Sequence, residues 1–259
     1  MILGVSNPGE YWEIPLLFGT GLVAGFVDSI AGGGGLITLP VMLSLGGDPQ
    51  QALGTNKLQA TFGSASAATH YTRAGAVQLI ECWRAFIFTF IGSAIGTWGV
   101  RQIGPNTLKV IIPLLLIAVA VYSLRNPKLG ETDTKPQIAR GRFDVVFGLL
   151  LGFYDGFFGP GTGTFWTMAF VLMLGFNLTR ATAHTKVLNF SSNLCSLLVF
   201  ALAGKINYFA GTVMGIGQLI GAQIGSRMVM QRGTKFIRPV FISVVLAITG
   251  KLLYDAYFR

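Results

Sequence analysis

Two glycine-rich strings interrupt otherwise apolar segments of this sequence. They are residues 28–35 (DSIAGGGG) and residues 155–164 (DGFFGPGTGT). Neither string can continue a regular helix, because consecutive glycines and a Gly-Pro-Gly break the backbone hydrogen-bond ladder. A helix that restarts after such a break points its free N–H groups and the positive end of its dipole at the break, which favours an anion. The chemistry that these strings predict is anion binding.

A polar helix segment follows each glycine string and contains a lysine. The segments are residues 54–66 (GTNKLQATFGSAS) and 183–193 (AHTKVLNFSSN), with Lys57 and Lys186 about one turn into a predicted helix. A lysine at the centre of a bilayer costs about 2.5–3.5 kcal/mol, so it should face a partner or a wet cavity. Snorkelling of the lysines to the membrane interface is the alternative. Ammonium and amide donors together suit a small oxyanion.

The candidate substrate-binding residues combine the backbone of the breaks with the donors of these two segments. They are Gly32, Gly33, Gly34, Gly35, Asn56, Lys57, Gln59, Gly159, Gly161, Thr162, Thr185, Lys186, Asn189 and Ser192. The glycines have an alternative role, because glycine also lets membrane helices cross closely. GxxxG pairs elsewhere, Gly92/Gly96 and Gly221/Gly225, already supply that function. The spacing of a phosphate-binding P-loop is absent.

Three further titratable residues lie in or near these segments. Asp28 and Asp155 occupy matching positions, and they either pair with the two lysines to hold the broken helices or exchange a proton during transport. The symmetric repetition favours the structural role. His184 is the more natural titrating group, with a hydrogen-bonded structural role as its alternative. We predict no catalytic residue, metal site or cofactor, because the sequence shows neither a metal-ligand cluster nor a nucleophile elbow.

The composition identifies the class of protein that positions these residues. Among 259 residues there are only 19 Lys and Arg and 10 Asp and Glu, so 11% are charged, compared with roughly 25% in soluble domains. Hydrophobic residues make up 52%, and mean hydropathy is +0.61. These values predict an all-α, multi-spanning membrane protein and exclude a soluble enzyme, a nucleic-acid-binding protein and a disordered chain. The first apolar segment should be retained rather than cleaved as a signal peptide.

Apolar runs between charges and turn residues predict ten membrane segments, five on each side of a basic linker. They lie near residues 12–31, 34–46, 52–72, 82–103, 107–124, 143–158, 161–176, 182–203, 207–228 and 237–257. The second segment of each half is short, so it either spans the membrane or forms a re-entrant hairpin with the first.

The two halves resemble each other at nearly constant offsets. A shift of 127 residues aligns seven residues between 21 and 34 with identical residues between 148 and 161. A shift of 129 residues aligns seven more, between 91 and 104, with residues 220–233. A shared glycine-rich composition is the alternative explanation, but composition alone does not hold one offset through a loop and two helices. Duplicated halves are typical of secondary transporters. We predict repeat one at 1–126, a basic cytoplasmic linker at 127–142 and repeat two at 143–259.

The placement of basic residues predicts how the halves are oriented. An odd number of crossings in each half puts twelve of the nineteen Lys and Arg residues on the linker side and four on the other, which fits the excess of positive charge on cytoplasmic loops. An even number would split that bias. We therefore expect inverted repeats, a cytoplasmic linker at 125–142 and both termini outside.

The motifs themselves resemble a known family. Residues 25–37 (GFVDSIAGGGGLI), 52–59 (ALGTNKLQ) and 181–194 (ATAHTKVLNFSSNL) are similar to the TauE/SafE family of sulfite and organosulfonate exporters, and the likeness covers nearly the whole chain. The resemblance implies a multi-pass transporter of the bacterial or archaeal inner membrane. It also implies sulfite, a sulfonate or a related small sulfur or carboxylate anion as substrate, commonly exported. The charge pattern indicates a small anion independently, whereas sulfur comes only from the resemblance.

The sequence thus predicts a secondary transporter of a small anion that works by alternating access, with proton coupling as an option. Its predicted partners are the anion and the lipid bilayer, with no nucleic acid; a homodimer is left open. An anion channel on the same scaffold is one alternative, and a membrane partner subunit without transport activity is another.

Overall fold

A computed structural model describes residues 13–45, 48–104, 106–107, 132–233 and 239 of the chain. Within these residues the regular secondary structure is entirely helical, as the composition predicts. The helices are α1 (Glu13–Ala31), α2 (Gly34–Ser44), α3 (Pro49–Arg73), α4 (Leu79–Arg101), α5 (Arg140–Phe157), α6 (Thr162–Leu174), α7 (Leu178–Leu202) and α8 (Tyr208–Arg232).

Each of these helices matches one predicted segment, with ends that differ by at most four residues. The largest shift at a helix start is in α7, which begins four residues early because Asn177 caps it: the Asn177 side chain accepts a hydrogen bond from the Arg180 N–H. A capping residue satisfies a free N–H of the first turn and so fixes where a helix begins. The predicted segments 107–124 and 237–257 lie outside the described residues, apart from residues 107 and 239.

Three of the described helices, α1, α4 and α7, are long and apolar enough to cross a membrane. Along α4 a row of large apolar side chains faces outward: Trp83, Ile87, Ile91, Ile95 and Trp98, each between 43% and 62% exposed. Their spacing of three or four residues places them on one helix face. Such a face is stable against lipid hydrocarbon, so the helices are those of an integral membrane protein.

The helices α1 and α2 form a hairpin around the first glycine break. Leu17, near the start of α1, lines the same small cavity as Leu45, which follows α2. The end of α2 therefore returns to the side on which α1 begins. With 11 residues, α2 is about 16 Å long, well short of the roughly 30 Å hydrocarbon core.

The helices α5 and α6 repeat this arrangement around the second break. The ring of Phe143, near the start of α5, lies 4.9 Å from that of Phe170 in the second half of α6. In addition, the Gln137 N–H, just before α5, donates to the carbonyl of Met173 at 2.8 Å. The end of α6 therefore returns to the side on which α5 begins.

The long helices α3 and α7 run in opposite directions. Asp48, at the start of α3, pairs with Lys205, just beyond the end of α7, at 3.1 Å. At the other end of the bundle, Arg180 in the first turn of α7 lies 3.8 Å from Glu81 in the first turn of α4, which directly follows α3. Each hairpin therefore enters the bundle from a different end.

Two glycine seams join the first half of the chain to the second. In α1 against α8, a Cβ added at Gly221 would lie 2.8 Å from the backbone nitrogen of Phe26. In α4 against α5, a Cβ added at Gly92 would lie 2.9 Å from the backbone nitrogen of Phe153. Both distances are shorter than a real Cβ contact, so only glycine allows these helices to pack backbone to backbone.

Candidate functional site

The two glycine breaks touch each other in the middle of the bundle. A Cβ added at Gly32 would lie 2.5 Å from the Cα of Gly163, and one added at Gly163 would lie 2.6 Å from the Cα of Gly32. The hydroxyl of Thr164 donates to the carbonyl of Ala31 at 3.1 Å. One half of the chain thus satisfies a carbonyl that the break in the other half frees, as buried irregular backbone requires.

Side chains also support the second break from within its own half. Gly159 and Gly161 have positive φ angles of 97° and 81°, a conformation that glycine adopts without steric cost. The Tyr154 hydroxyl donates to the carbonyl of Pro160 at 2.8 Å, and the Thr162 hydroxyl donates to that of Gly159 at 2.6 Å. The Gly-Pro-Gly string is therefore an ordered turn with satisfied carbonyl groups.

Two ion pairs cross between the halves at the level of the breaks. Lys57 of α3 pairs with Asp155 of α5 at 2.5 Å, and Lys186 of α7 pairs with Asp28 of α1 at 3.1 Å. Each lysine side chain is only 1% exposed, so neither snorkels to the surface. Burial of an ionic group is tolerated only with a close partner, and each half supplies the partner of the other.

The Lys57–Asp155 pair has the denser set of hydrogen bonds. The Lys57 ammonium donates to a carboxylate oxygen and to the backbone carbonyl of Asp155, both at 2.5 Å, and to the amide oxygen of Asn193 at 3.4 Å. The other carboxylate oxygen of Asp155 accepts a hydrogen bond from the Ser192 hydroxyl. All three N–H bonds of the ammonium thus have an acceptor.

The Lys186–Asp28 pair is more open. The Lys186 ammonium donates to one carboxylate oxygen of Asp28, and the other oxygen accepts the Gly34 N–H at 3.2 Å. Asp28 thereby occupies the positive end of α2, where we expected the substrate. Its side chain is 18% exposed, compared with 4% for Asp155.

A small polar cavity of about 30 Å³ lies between the breaks. Its lining consists of glycines, amides, both carboxylates, one alanine and one threonine: Asp28, Gly32, Gly35, Asn56, Ala60, Asp155, Gly159, Gly161, Thr162, Gly163, Asn189, Asn193 and Gln218. That volume holds about two water molecules. The lysines lie behind the carboxylates rather than on the wall, so an anion could reach them only after the site has opened.

The cavity brings together about half of the residues that we predicted for substrate binding. Gly32, Gly35, Asn56, Gly159, Gly161, Thr162 and Asn189 line it, whereas Gly33, Gly34, Lys57, Gln59, Thr185, Lys186 and Ser192 do not. The Asn56 amide oxygen accepts from Gln59 at 2.8 Å and from Thr38 at 2.6 Å, so these residues bind α2 to α3. Thr185 faces α6, with its hydroxyl 3.2 Å from that of Thr167.

His184 lies away from the two ion pairs. Its Nδ1 atom is 2.9 Å from the carbonyl of Arg180, and its Nε2 atom is 3.6 Å from the Glu81 carboxylate. Its ring packs against the ring of Phe176 with centroids 4.9 Å apart. These contacts place His184 at the start of α7, near the end of the bundle rather than beside the breaks.

Four residues that line the cavity were not predicted from the sequence: Ala60, which carries no polar side chain, and Gly163, Asn193 and Gln218. Asn193 is one turn beyond Asn189 and two turns beyond Lys186 on the same helix face, so helical spacing could have identified it. Gln218 is an amide within an apolar, glycine-rich helix, which is a polar group that needs a partner. Gly163 gave no signal beyond its place in the glycine string.

Comparison with known proteins identifies the family. A family model described as "Sulfite exporter TauE/SafE" matches residues 17–252. The chain belongs to the TauE/SafE family. No solved structure matches this TauE/SafE chain at a significant level.

Curated relatives carry transporter names. "Probable membrane transporter protein" of Haemophilus influenzae is 46% identical over 93% of this chain and 95% of its own length. "Probable membrane transporter protein YfcA" of Escherichia coli K12 is 45% identical over 93% of this chain and 90% of its own length. The more distant YunE of Bacillus subtilis is 24% identical over 92% of this chain and 96% of its own length.

This TauE/SafE protein is therefore a member of a membrane transporter family, with a small molecule as substrate and the lipid bilayer as its surroundings. The names of the relatives indicate a transporter rather than an enzyme. Within the described residues, no group of three or more His, Cys, Asp or Glu side chains could hold a metal ion.

Proposed function

We propose that this protein is a secondary transporter that carries a small sulfur oxyanion, sulfite or an organosulfonate, by alternating access. The observation that carries the proposal is the pair of buried lysines, Lys57 and Lys186, placed at two touching helix breaks and held by carboxylates. The binding site of an anion transporter must offer positive charge to its substrate, and it should carry no net charge when it is empty. In each crossed ion pair the lysine supplies the positive charge, and the carboxylate neutralises it in the empty site.

The family supplies the substrate class, and the site supplies a physical reason for it. The matching family model is described as a sulfite exporter. An oxyanion with three oxygens at one end can accept hydrogen bonds from an ammonium and from amide N–H groups together. Asn56 and Asn189 present amides at the cavity wall. Export is the direction that the family description favours.

We propose that the halves are inverted repeats, 1–126 and 143–259, joined by the linker 127–142. Three observations support this. The first described helix, α1, packs on the last, α8, and α4 packs on α5. The helices α3 and α7 are antiparallel. Each half begins with a helical hairpin around a glycine break, and the hairpins enter from opposite ends, so we propose that they are re-entrant rather than spanning.

The basic residues support an orientation in an inner membrane. On the linker side of the bundle lie eight described Lys and Arg residues: Arg73, Arg84, Lys135, Arg140, Arg142, Arg180, Arg227 and Arg232. On the opposite side lie Arg101 and Lys205. An excess of Lys and Arg residues marks the cytoplasmic side of a membrane protein. We propose that the linker is cytoplasmic and that both termini are external.

The small size of the cavity supports alternating access. The cavity of about 30 Å³ between the breaks has room for about two water molecules, so we propose that the hairpins separate to admit an anion as large as methanesulfonate. Separation of Gly32 from Gly163 would open the site, and movement of one repeat against the other would expose it to each side in turn. The glycine seams give smooth backbone surfaces for such sliding.

The test is uptake by vesicles that contain only the purified protein and lipid. We expect saturable uptake of labelled sulfite, methanesulfonate or thiosulfate. Methanesulfonamide, a neutral molecule of nearly the same shape as methanesulfonate, is the matched control and should not enter. Flux that does not saturate and cannot be driven uphill would indicate a channel instead. If none of the three anions is bound or transported, the proposal is wrong; a partner subunit would also give this result.

A further inference from the structure

The two ion pairs differ in the number of N–H donors that each ammonium has free for a ligand. Lys57 has three hydrogen bonds, two to Asp155 and one to Asn193. Among the described residues, Lys186 has a single one, to Asp28. An ammonium has three N–H donors, so Lys186 has two left for a ligand, and Lys57 has none.

The difference originates in residues that the duplication does not preserve. The shift of 129 residues aligns Ser192, which donates to Asp155, with Gly63. A Cβ at Gly63 would lie 2.7 Å from the side-chain nitrogen of Gln218. Gln218 therefore fills the space in which a hydroxyl could have reached Asp28, and Asp28 lacks that donor.

The same shift explains the spare capacity of Lys186. It aligns Asn193, which accepts from Lys57, with Ser64. The hydroxyl of Ser64 donates to the carbonyl of Ala60 in its own helix, at 2.7 Å. Lys186 therefore has no counterpart of the third acceptor.

A free amide stands next to this open pair. Asn189 is one turn beyond Lys186 on α7 and is 5% exposed. Its amide nitrogen faces the break, since a Cβ at Gly163 would lie 3.0 Å from that atom. Its amide oxygen is buried without a hydrogen-bond partner. Lys186 and Asn189, one helical turn apart, therefore present an ammonium to Asp28 and an amide to Gly163, where the two breaks touch.

Charge determines what must accompany an anion there. If Asp28 stayed ionised, an anion beside Lys186 would place two negative charges against one ammonium in a buried site. A proton on Asp28 removes that repulsion. A protonated carboxyl group also becomes a donor, and two buried oxygens of the same cavity, from Asn189 and Gln218, have no donor.

We infer that Lys186 is the anion-binding lysine and that Asp28 takes up one proton for each anion bound, while the Lys57–Asp155 pair stays closed. The proton comes from water on the open side and bonds to the carboxylate oxygen that Lys186 releases. Lys186 keeps its own proton and exchanges a carboxylate for the anion. This inference rests on the proposed function and names its coupling ion and coupling residue.

Among the described residues, few charged groups surround Asp28. From α7 it faces Lys186, and from α2 it accepts the Gly34 N–H. A titratable group of α3, Tyr71, lies nearby, and its hydroxyl donates to the carbonyl of Ser29 at 2.9 Å. The α8 residue at the cavity is the neutral Gln218, and α6 contributes Thr162 and Gly163. Across the cavity lies the closed Asp155 pair, which carries no net charge.

The test measures proton uptake when methanesulfonate or thiosulfate binds to the purified, intact protein in weakly buffered detergent. Neither anion takes up a proton near neutral pH, so a pH-indicator dye reports the protein alone. We expect about one proton per bound anion in the wild type, and about a tenfold gain in affinity per unit fall in pH while Asp28 is ionised. D28N should bind the anion without proton uptake, D28E should restore uptake, and the matched control D48N should behave as wild type.

Every outcome decides the inference. Anion binding by the wild type without proton uptake overturns it and leaves the proposed function standing, as does binding that requires Na⁺ instead of a proton. Unchanged uptake in D28N overturns the assignment to Asp28. If D28N does not fold, the slope of affinity against pH in the wild type and D28E decides alone: a flat slope overturns the inference. If no anion binds to the wild type, the proposed function itself fails.

Discussion

The ion pairs at the two glycine breaks come from segments of similar sequence, yet one pair has more hydrogen bonds than the other. Asp155 is surrounded by donors and is 4% exposed, whereas Asp28 shares its carboxylate between a single ammonium and the start of α2 and is 18% exposed. The residues that make the difference, Ser192 and Asn193, have no equivalent in the first half. On the proposed function, the Lys57–Asp155 pair therefore has a structural role, and the Lys186–Asp28 pair takes part in anion binding.

The sharpest test of this comparison is to remove each lysine in turn. In Lys57→Met the buried Asp155 carboxylate loses its counter-charge, which should cost about 3–5 kcal/mol of the free energy of unfolding. In Lys186→Met the loss should be about 1–3 kcal/mol, because Asp28 keeps the Gly34 N–H and some exposure. Chemical denaturation in detergent micelles measures both.

The double variant Lys57→Met, Asp155→Leu is the matched control. It removes both charges of the closed pair, so it should recover much of the stability that Lys57→Met loses. Equal losses for the two single lysine variants would remove the distinction between the pairs.

Stability should depend next most strongly on the contact between the two glycine breaks, Gly32 against Gly163. In Gly163→Ala the new methyl group would lie 2.6 Å from the Cα of Gly32. Because backbone cannot move aside as a flexible side chain can, we expect a loss of up to about 3 kcal/mol. Gly19→Ala is the control, since nothing lies within 4 Å of its added Cβ. A Gly163→Ala variant as stable as Gly19→Ala would mean that the breaks do not touch.

A smaller effect isolates one donor of the closed pair. Ser192→Ala removes the hydroxyl that donates to Asp155, and we expect a loss of about 1–2 kcal/mol, because a hydrogen bond to a charged group is lost from the interior. Anion affinity should not change. A weaker affinity with unchanged stability would instead place Ser192 in the binding site.

The smallest effect belongs to the ion pair at the end of the bundle. Asp48 and Lys205 lie 3.1 Å apart, but their side chains are 32% and 41% exposed. Solvent screens such a pair, so Asp48→Asn should cost about 1 kcal/mol or less. A loss as large as that of Lys57→Met would show that stability does not follow the burial of the pairs.

Much of the fold could be predicted from the sequence, because membrane helices give strong local signals. Apolar runs located the described helices to within four residues, and the glycine strings located both breaks. The sequence left open whether the second segment of each half spans the membrane or forms a re-entrant hairpin, because a glycine string shows where a helix stops but not where the next one points. The crossing of the ion pairs depends on contacts between residues that are 98 and 158 positions apart in the sequence.

The site was predicted less completely than the fold. The residue types of the breaks indicated polar and charged contacts, but Gln59 and Thr185 bind neighbouring helices instead of facing the cavity. His184 lies near the end of the bundle although it is two residues from Lys186. The sequence position of a residue fixes its place along the helix axis and the face on which its side chain lies. The residues that the side chain contacts depend on the neighbouring helix.

In the proposed binding step, the anion replaces Asp28, and not Asp155, as the partner of a lysine. A structure determined with methanesulfonate or thiosulfate bound would show which lysine holds the anion. We predict the anion within hydrogen-bond distance of the Lys186 ammonium and of Asn189, with Asp28 turned away and the Lys57–Asp155 contact still in place. An anion bound to Lys57 with the Lys186–Asp28 pair intact at about 3.1 Å would contradict the account.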